Sequence, residues 1–423
     1  MNAGVSTTQK PMNPKRPALL FLAHLLPWPL EGGGQIKSYH TLRLLSAVFD
    51  VTLIAFIRRE EEKDNIEPLR PLCRDIQTVL LPRSKAKNAV AAATALLGNR
   101  SFIISRDTVP AMTEAVQKTL ATGNFVAIHV DHLQMAPFVP EKTALPVVLD
   151  NHNIEHRIPQ RIAETPGGSA AMRWYAAREW PRLRDFEIAA CRRATRTLTV
   201  SGEDRDGLTA LAPDCAGKIV AVPIGVDTDF FGAAQRRTDS KTLLSIGTMY
   251  WPPNVDSMLY FCADILPKIK QRVPEVHLNI VGAKPTAAVR ALADADPTVT
   301  VTGSVPDVRN WAADCGAFIV PLRSGSGMRV KILNAMAMGL PVVSTTVGAE
   351  GIDVRDGENI VLADGADAFA DAVVRVLADV ELAQRVAAGG RRLMEAHYSW
   401  ESVGKLLLGV YGEILSTGAP VRE

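Results

Sequence analysis

The feature that most constrains this chain is an alternation, run through twice, of short apolar stretches with helical or polar ones. "ALLFLAHLL", "DVTLIAF", "DIQTVLL", "FVAIHV", "LPVVLDN" and "TRTLTVS" follow one another in the first half. Between the first two lies "QIKSYHTLRLLSAVF", whose apolar residues recur at helical spacing. Short apolar strands alternating with helices predict βαβ units and a parallel sheet covered on both faces. Near residue 225 the texture changes to the polar "IGVDTDFFGAAQRRTDSK", and the alternation then restarts with "TLLSIG", "VHLNIVG", "VTVTG", "AFIVPL", "PVVSTTV" and "NIVLAD". The expected architecture is α/β, with two Rossmann-like, doubly wound parallel-sheet domains facing a cleft, and ligands at the carboxyl ends of the strands. The expected divisions are a disordered tail (1–16), a first domain (17–228), a linker (229–240), a second domain (241–400) and a C-terminal helix (401–423) returning toward the first domain.

Composition excludes several classes. Of 423 residues, 47% are apolar and the net charge is only +2, so there is no electrostatic case for a nucleic-acid partner. The five cysteines lack any C-x-x-C spacing and read as reduced thiols, not as a disulfide framework or a zinc site. Lys10, Lys15 and Arg16 precede "ALLFLAHLLPWPL" in the manner of a secretory signal, but His24, Pro27 and Pro29 interrupt it, and a buried first strand is the better expectation. No run has the length of a transmembrane helix. A cytoplasmic protein is expected.

Three places carry candidate chemistry. "EGGG" follows the first strand, and Gly33 and Gly34 allow a ligand close to the backbone there; a tight turn would need the same glycines. It is not a dinucleotide fingerprint, and Lys37-Ser38 is misplaced for a P-loop. His129, His132 and His152 stand at or just beyond strand ends without metal-like spacing. Each reads either as an imidazole bonding a hydroxyl-rich substrate or as a core histidine. The third place is "RSGSGMRVKILNAMAMG", a glycine-rich loop with Gly325, Ser326 and Gly327 opening a helix that Gly339 and Pro341 stop. Arg329 and Lys331 fall in its first turn, where the helix dipole disfavours cations; a bound diphosphate would offset that cost, and two solvated charges are the alternative.

Taken in order, "VPIGVDTDFF", "LNIVG", "VTGSVPDV", "VPLRSGSGMRVKILNAMAMGLPVVSTTVGAEGI", "ENIVLAD" and "YSWESV" resemble the GT-B glycosyltransferases of family 4, which are retaining, metal-independent enzymes. "LPWPLEGGGQIKSYH" and "LDNHNIEHR" are similar to sugar transferases of bacterial exopolysaccharide gene clusters. The resemblance covers roughly residues 17 to 415. It implies a nucleoside diphosphate sugar donor in the second domain and an acceptor, a glycan or lipid-linked glycan, in the first. It further implies that Gly303, Ser304 and Val305 hold the base, that Gly33 and Gly34 approach the diphosphate, and that His152 contacts the donor sugar.

Two departures from the family pattern stand out. Two glutamates with seven residues between them are replaced by Ser326 and Asn334, and the loop after "LLSIG" reads "TMYWPPNVDS", lacking the usual Arg and Lys. Arg329 and Lys331 are then the expected substitutes on the diphosphate, and Glu350 of "GAEGI" the expected extra hydroxyl contact. No cofactor and no metal are expected. A non-catalytic GT-B subunit and a nucleotide-sugar epimerase are the rival readings. Arginines from Arg157 to Arg196, with Met172, Trp174, Tyr175 and Trp180 among them, offer a peripheral contact with an anionic membrane; a solvated helix salt-bridged through Glu179, Asp185 and Glu187 is the alternative.

Overall fold

The computed structural model describes residues 16–416 apart from Glu31, Pro82, 165–168, 233–236, Thr238 and Ser326. The tail expected over residues 1–16 therefore lies almost entirely outside the described residues, as does Ser326. The chain divides into two compact units, 1–223 with 404–423, and 224–403. The polar segment 229–240 falls inside the second unit.

In the first unit seven strands, β1 (Ala18–Ala23), β2 (Asp50–Ile57), β3 (Asp75–Leu80), β4 (Phe125–Asp131), β5 (Val147–Asp150), β6 (Arg196–Thr199) and β7 (Ile219–Ala221), form one sheet in the order β3-β2-β1-β4-β5-β6-β7. All its pairings are parallel. Leu20, Leu22, Ile54, Phe56, Ile128 and Val130 are buried in one cluster with residues of the flanking helices. That is why these strands read as continuous apolar runs: both faces are covered. β7 has only three residues and gives no periodic signal, so the sequence does not announce it.

The second unit repeats the plan with β8 (Thr242–Ile246), β9 (His277–Val281), β10 (Val299–Gly303), β11 (Ala317–Val320), β12 (Val342–Ser344) and β13 (Val361–Leu362), ordered β10-β9-β8-β11-β12-β13. Its pairings are likewise parallel. Phe261, Leu278, Ile280, Phe369 and Val373 anchor its core. The two units are thus separate Rossmann-like domains, as expected.

The last helix, Trp400–Ser416, belongs to the first unit from Gly404 onward. Its Tyr411 is buried, with its ring 5.3 Å from that of Phe49. All five cysteines are free. No helix among the described residues is long and apolar enough to cross a membrane.

The helix Ala170–Arg193 is not salt-bridged along a solvated face through its glutamates. Glu179 and Glu187 turn inward and are buried. Glu179 accepts from Ser101 Oγ at 2.6 Å and from the N–H groups of Phe102 and Ile103, filling the donors that a helix start leaves open. Met172 and Trp174 are exposed, and the Arg178 guanidinium stacks 3.8 Å from the Trp174 ring centre.

Candidate functional site

In an open parallel sheet the ligand crevice lies where the strand order reverses, beyond the carboxyl ends of the two strands that flank the reversal. Here those pairs are β1 and β4 in the first unit and β8 and β11 in the second.

In the first unit, β4 and β5 each end in an aspartate, and the parallel register makes Asp131 and Asp150 direct neighbours. The helix Gly33–Ser46, which follows β1, is tied to both. Lys37 pairs its ammonium with Asp150, both side chains being buried, and Ser38 Oγ donates to Asp131 at 2.7 Å. These anchors bring the glycine-rich helix start against two imidazoles. A β-carbon at position 34 would lie 3.5 Å from His132 Nε2 and 3.7 Å from His152 Nδ1. Glycine leaves that approach open for a ligand.

Asp131 is the hub. Besides Ser38 it accepts from His152 Nε2 at 2.8 Å and from His132 Nδ1 at 3.1 Å. Burial would raise its pKa, but the two histidines outweigh that and hold it well below the usual carboxylate range. Burial, assisted by the neighbouring His132, pushes His152 down to about 4, so it is neutral at ordinary pH. With Nε2–H committed to Asp131, its Nδ1 is a buried lone pair with no partner among the described residues. His132 behaves oppositely: burial would lower it, yet Asp131 raises it. The two rings lie 3.7 Å apart, centre to centre, so one neutral and one readily charged imidazole share a single carboxylate. The loop carrying His152 is fixed from below by Glu187, which accepts from Asn151 Nδ2, from the Glu155 N–H at 3.1 Å and from His156 Nδ1 at 2.6 Å.

His129 lies two residues before Asp131 on the same face of β4, with its Nε2 3.7 Å from Asp150 Oδ2. It is buried against Phe21, and its Nδ1 meets the Tyr411 hydroxyl at 2.8 Å. It is a core histidine because the last helix covers it through Tyr411, whose ring centre lies 6.3 Å from its own.

In the second unit the helix Val330–Ala337 opens after the loop that follows β11, with Arg329 as its N-cap. Lys331 reaches back to the first turn of the helix Pro252–Tyr260, where its Nζ donates to Asn254 Oδ1 at 2.8 Å. Asn254 in turn donates to the Thr248 carbonyl. A β-carbon on Gly247 would lie 3.3 Å from that ammonium, so the glycine turn, the amide and the cation meet at one point. Burial, with the Arg329 charge beside it, pushes Lys331 down to about 7. Arg329 donates to the Gly327 carbonyl and, at Gly325, stands where a β-carbon would sit. Gly327 has a φ of 77° and Gly303 one of 75°, the left-handed region that favours glycine. Gly303 lies at the end of β10, with Ser304 and Val305 in the following loop. Asn334 is half-buried one turn along the helix from Lys331, and Glu350 lies in the turn after β12.

The expected donor residues of the second unit thus fall into a group at the β8–β11 reversal, Arg329, Lys331 and Asn334, with Gly303 to Val305 beyond β10. The residues that sequence reasoning missed are Lys37, Ser38, Asp131, Asp150, Gly247 and Asn254. Both aspartates close strands whose apolar residues hid them, and a carboxylate ending a parallel strand was the signal available.

Two sets of side chains, Asp131 with His132 and His152, and His129 with Asp131 and Asp150, have ligand atoms within 4.8 Å of one another. The Lys37 ammonium already holds Asp150 where a cation would sit, and both oxygens of Asp131 are taken by internal donors.

Comparison with known proteins agrees with this geometry. Residues 240–379 match the family described as glycosyl transferases group 1. Over 216 residues the chain is 31% identical to phosphatidyl-myo-inositol mannosyltransferase of Mycobacterium tuberculosis, a match covering 48% of this chain and 56% of the relative. The chain thus spans about half the length of that curated relative. It is 26% identical to D-inositol 3-phosphate glycosyltransferase of Frankia alni over 70% of this chain and 76% of that one. It is also 24% identical, over 38% of its length and 43% of the relative, to an uncharacterized 44.6 kDa protein in the cps region of Klebsiella pneumoniae. Sucrose-phosphate synthase of Thermosynechococcus elongatus superposes with a TM-score of 0.72 at 19% identity, covering 95% of this chain and all of that one. HepE of Anabaena in complex with UDP gives 0.64 at 12% identity, covering 94% and 100%. The fold is GT-B, and the match to the group 1 glycosyl transferases lies in its second unit.

Proposed function

We propose that the protein is a retaining, metal-independent glycosyltransferase. It moves a hexosyl group from a nucleoside diphosphate sugar to a hydroxyl of a glycan or lipid-linked glycan in surface polysaccharide synthesis. The observation that carries this reading is Lys331, a half-buried ammonium at the start of a helix whose partner is the neutral amide of Asn254. A cation held there, beside Arg329 and against the helix dipole, is stabilised by an anionic ligand. A departing nucleoside diphosphate is such a ligand, and its charge grows as the glycosidic bond breaks, which is when fixed cations assist most.

In the first unit, the Nδ1 lone pair of His152 and the Nε2 of His132 face the space above Gly34 and suit the hydroxyls of a sugar. Asp131 holds both rings in orientation and serves as no nucleophile, because its oxygens are already bonded. HepE, a structural neighbour, was solved with UDP, which supports a nucleotide donor. The likeness to a protein of the cps region supports the polysaccharide setting. Incubation with a panel of UDP-, GDP- and ADP-sugars, followed by assay for nucleoside diphosphate release in excess EDTA, tests the reading. Release from one donor that Lys331→Met abolishes is expected; no release and no nucleotide-induced thermal shift from any donor would overturn it.

A further inference from the structure

The first unit gathers more positive charge at the carboxyl edge of β1, β2 and β3 than it neutralises. Asp107, buried completely, accepts at Oδ1 from Arg106 Nε at 3.0 Å and at Oδ2 from His24 Nε2 at 3.1 Å, and Arg83 Nη2 also stands 3.0 Å from Oδ1. Arg58, the residue after β2, adds a further charge that is felt at both His24 and Arg83. Other carboxylates near this edge are engaged elsewhere. Glu62 accepts the Arg58 backbone N–H at 3.0 Å and lies 3.5 Å from Arg59, and Glu179 caps the helix start at Phe102.

Two guanidiniums, Arg83 and Arg106, therefore share one carboxylate, with the Arg58 charge nearby. Arg106 alone gives that carboxylate two hydrogen bonds, so stability does not call for the other two. Arg83 is desolvated and repelled by Arg106 and Arg58, a cost that its pairing with Asp107 only partly offsets. The side chains of Arg83 and Arg106 remain 27% exposed and Arg58 is exposed, so a ligand can reach them. The cluster also borders the proposed sugar face. The His24 ring lies 5.8 Å from that of His132, which stacks on His152, making a row of imidazoles from Asp107 to the space above Gly34.

We propose that Arg58, Arg83 and Arg106 bind a phosphate or diphosphate ester carried by the acceptor. Guanidiniums in this number match the several oxygens and multiple charge of such a group better than a single carboxylate. The assignment rests on the glycosyltransferase reading for the word acceptor, and it names the substrate class as a phosphate-bearing sugar or glycan. The same chemistry is offered by a polyprenyl diphosphate-linked glycan in a membrane and by a soluble sugar phosphate.

The test uses radiolabelled inorganic pyrophosphate in equilibrium dialysis with the full chain at low salt. Wild type is compared with Arg83→Gln, Arg58→Gln, Arg83→Lys and Lys331→Met. Binding that persists in Lys331→Met but weakens by about tenfold or more in Arg83→Gln and in Arg58→Gln, with partial recovery in Arg83→Lys, is the expected result. Arg58 is exposed and answers the question should the Arg83 variant fail to fold. Displacement of the label by phosphatidylcholine vesicles doped with polyprenyl diphosphate, and not by vesicles doped with polyprenol, identifies the lipid source; displacement by a sugar 1-phosphate identifies the soluble one. Pyrophosphate binding unchanged by both glutamine variants, or displaced by neither ligand, overturns the proposal. Loss of nucleoside diphosphate binding with the arginine site intact would count against the donor reading alone.

Discussion

Lys331 Nζ lies 2.8 Å from the side-chain oxygen of Asn254, a residue 77 positions earlier in the chain. The contact joins the first turn of the helix Pro252–Tyr260, which follows β8, to the helix after β11, and β8 and β11 flank the strand-order reversal of the second unit. It puts a cation beside a stretch whose own sequence, "TMYWPPN", has none.

Proton uptake on binding follows from this contact. Lys331 stands at about 7 without a ligand, and a diphosphate beside it would raise it back toward the ordinary 10.5. Between those values binding draws a proton onto the neutral Lys331 amine, so affinity falls as the pH rises, by up to about tenfold per pH unit. Calorimetry of the nucleoside diphosphate near pH 8.5, in buffers of different ionisation heat, should show uptake approaching about one proton. Lys331→Met should abolish the uptake and weaken binding by about 1–3 kcal/mol. Buffer-independent heats in the wild type would remove Lys331 from the phosphates.

The sheets were legible in the sequence because a parallel strand covered on both faces is apolar throughout, and each such run ends in polar residues. The helix start at Arg329 and Lys331 was legible for a similar local reason: glycines, cations and an apolar helix stand within a few residues. Lys37 with Asp150, Ser38 with Asp131, and Lys331 with Asn254 were not. Each pair joins a helix to a strand end or a helix start far away in sequence, and only the strand order brings them together. Spacing therefore misled at His132 and His152, which showed no carboxylate at metal-like intervals although Asp131 touches both. It also left His129 ambiguous, since the partner that makes it a core residue, Tyr411, lies 282 positions away.

Asn334 stands one turn beyond Lys331 on the same helix, half-buried, at the position where the family resemblance implies a glutamate. If it bonds a ribose hydroxyl, Asn334→Ala should weaken nucleotide binding by about 1 kcal/mol, the usual worth of a neutral hydrogen bond. Asn334→Glu should bind at least as tightly as wild type, because a charged acceptor strengthens the bond. Titration with the nucleoside diphosphate and its 2′,3′-dideoxy analogue checks this. An unchanged preference between the two in Asn334→Ala would place the ribose elsewhere.

Gly34→Ala separates folding from ligand access. The new methyl would sit at ordinary contact distance from His132 and His152, and alanine in a helix is favoured over glycine by about 0.5–1 kcal/mol. Stability should hold or rise, while the methyl occupies the space above the two imidazoles and turnover falls by at least about tenfold. A variant with wild-type turnover would show that no substrate group approaches there.

Lys37 and Asp150 test how the helix Gly33–Ser46 is held. Lys37→Met leaves a buried carboxylate without its cation and should cost about 3–5 kcal/mol in urea unfolding. Adding Asp150→Asn to that background should recover part of the loss, since the uncompensated charge goes with it. Strict additivity of the two changes would mean that the pair does not interact.

Acid sensitivity is expected from His152. Its folded-state value, about 4, lies below the ordinary 6.5, so between these pH values the unfolded chain takes up a proton that the folded protein refuses. Stability falls as the pH drops through that window, at up to about 1.4 kcal/mol per pH unit from this residue. His132, raised by Asp131, works the other way: its contribution is complete below its ordinary 6.5 and is lost as the pH rises through the folded value. Asp131 is depressed, so its contribution is present above 3.8 and is lost only at still lower pH. His152→Gln retains a donor for Asp131 but cannot titrate. Urea unfolding of both proteins at about pH 7 and about pH 5 should show the wild type losing roughly 1–2 kcal/mol more than the variant. His24 and His129 are also lowered, but they are common to both proteins and cancel in that difference. Equal losses would mean that His152 is free to protonate in the folded state, and its Nδ1 would then face a ligand as a donor and not as an acceptor.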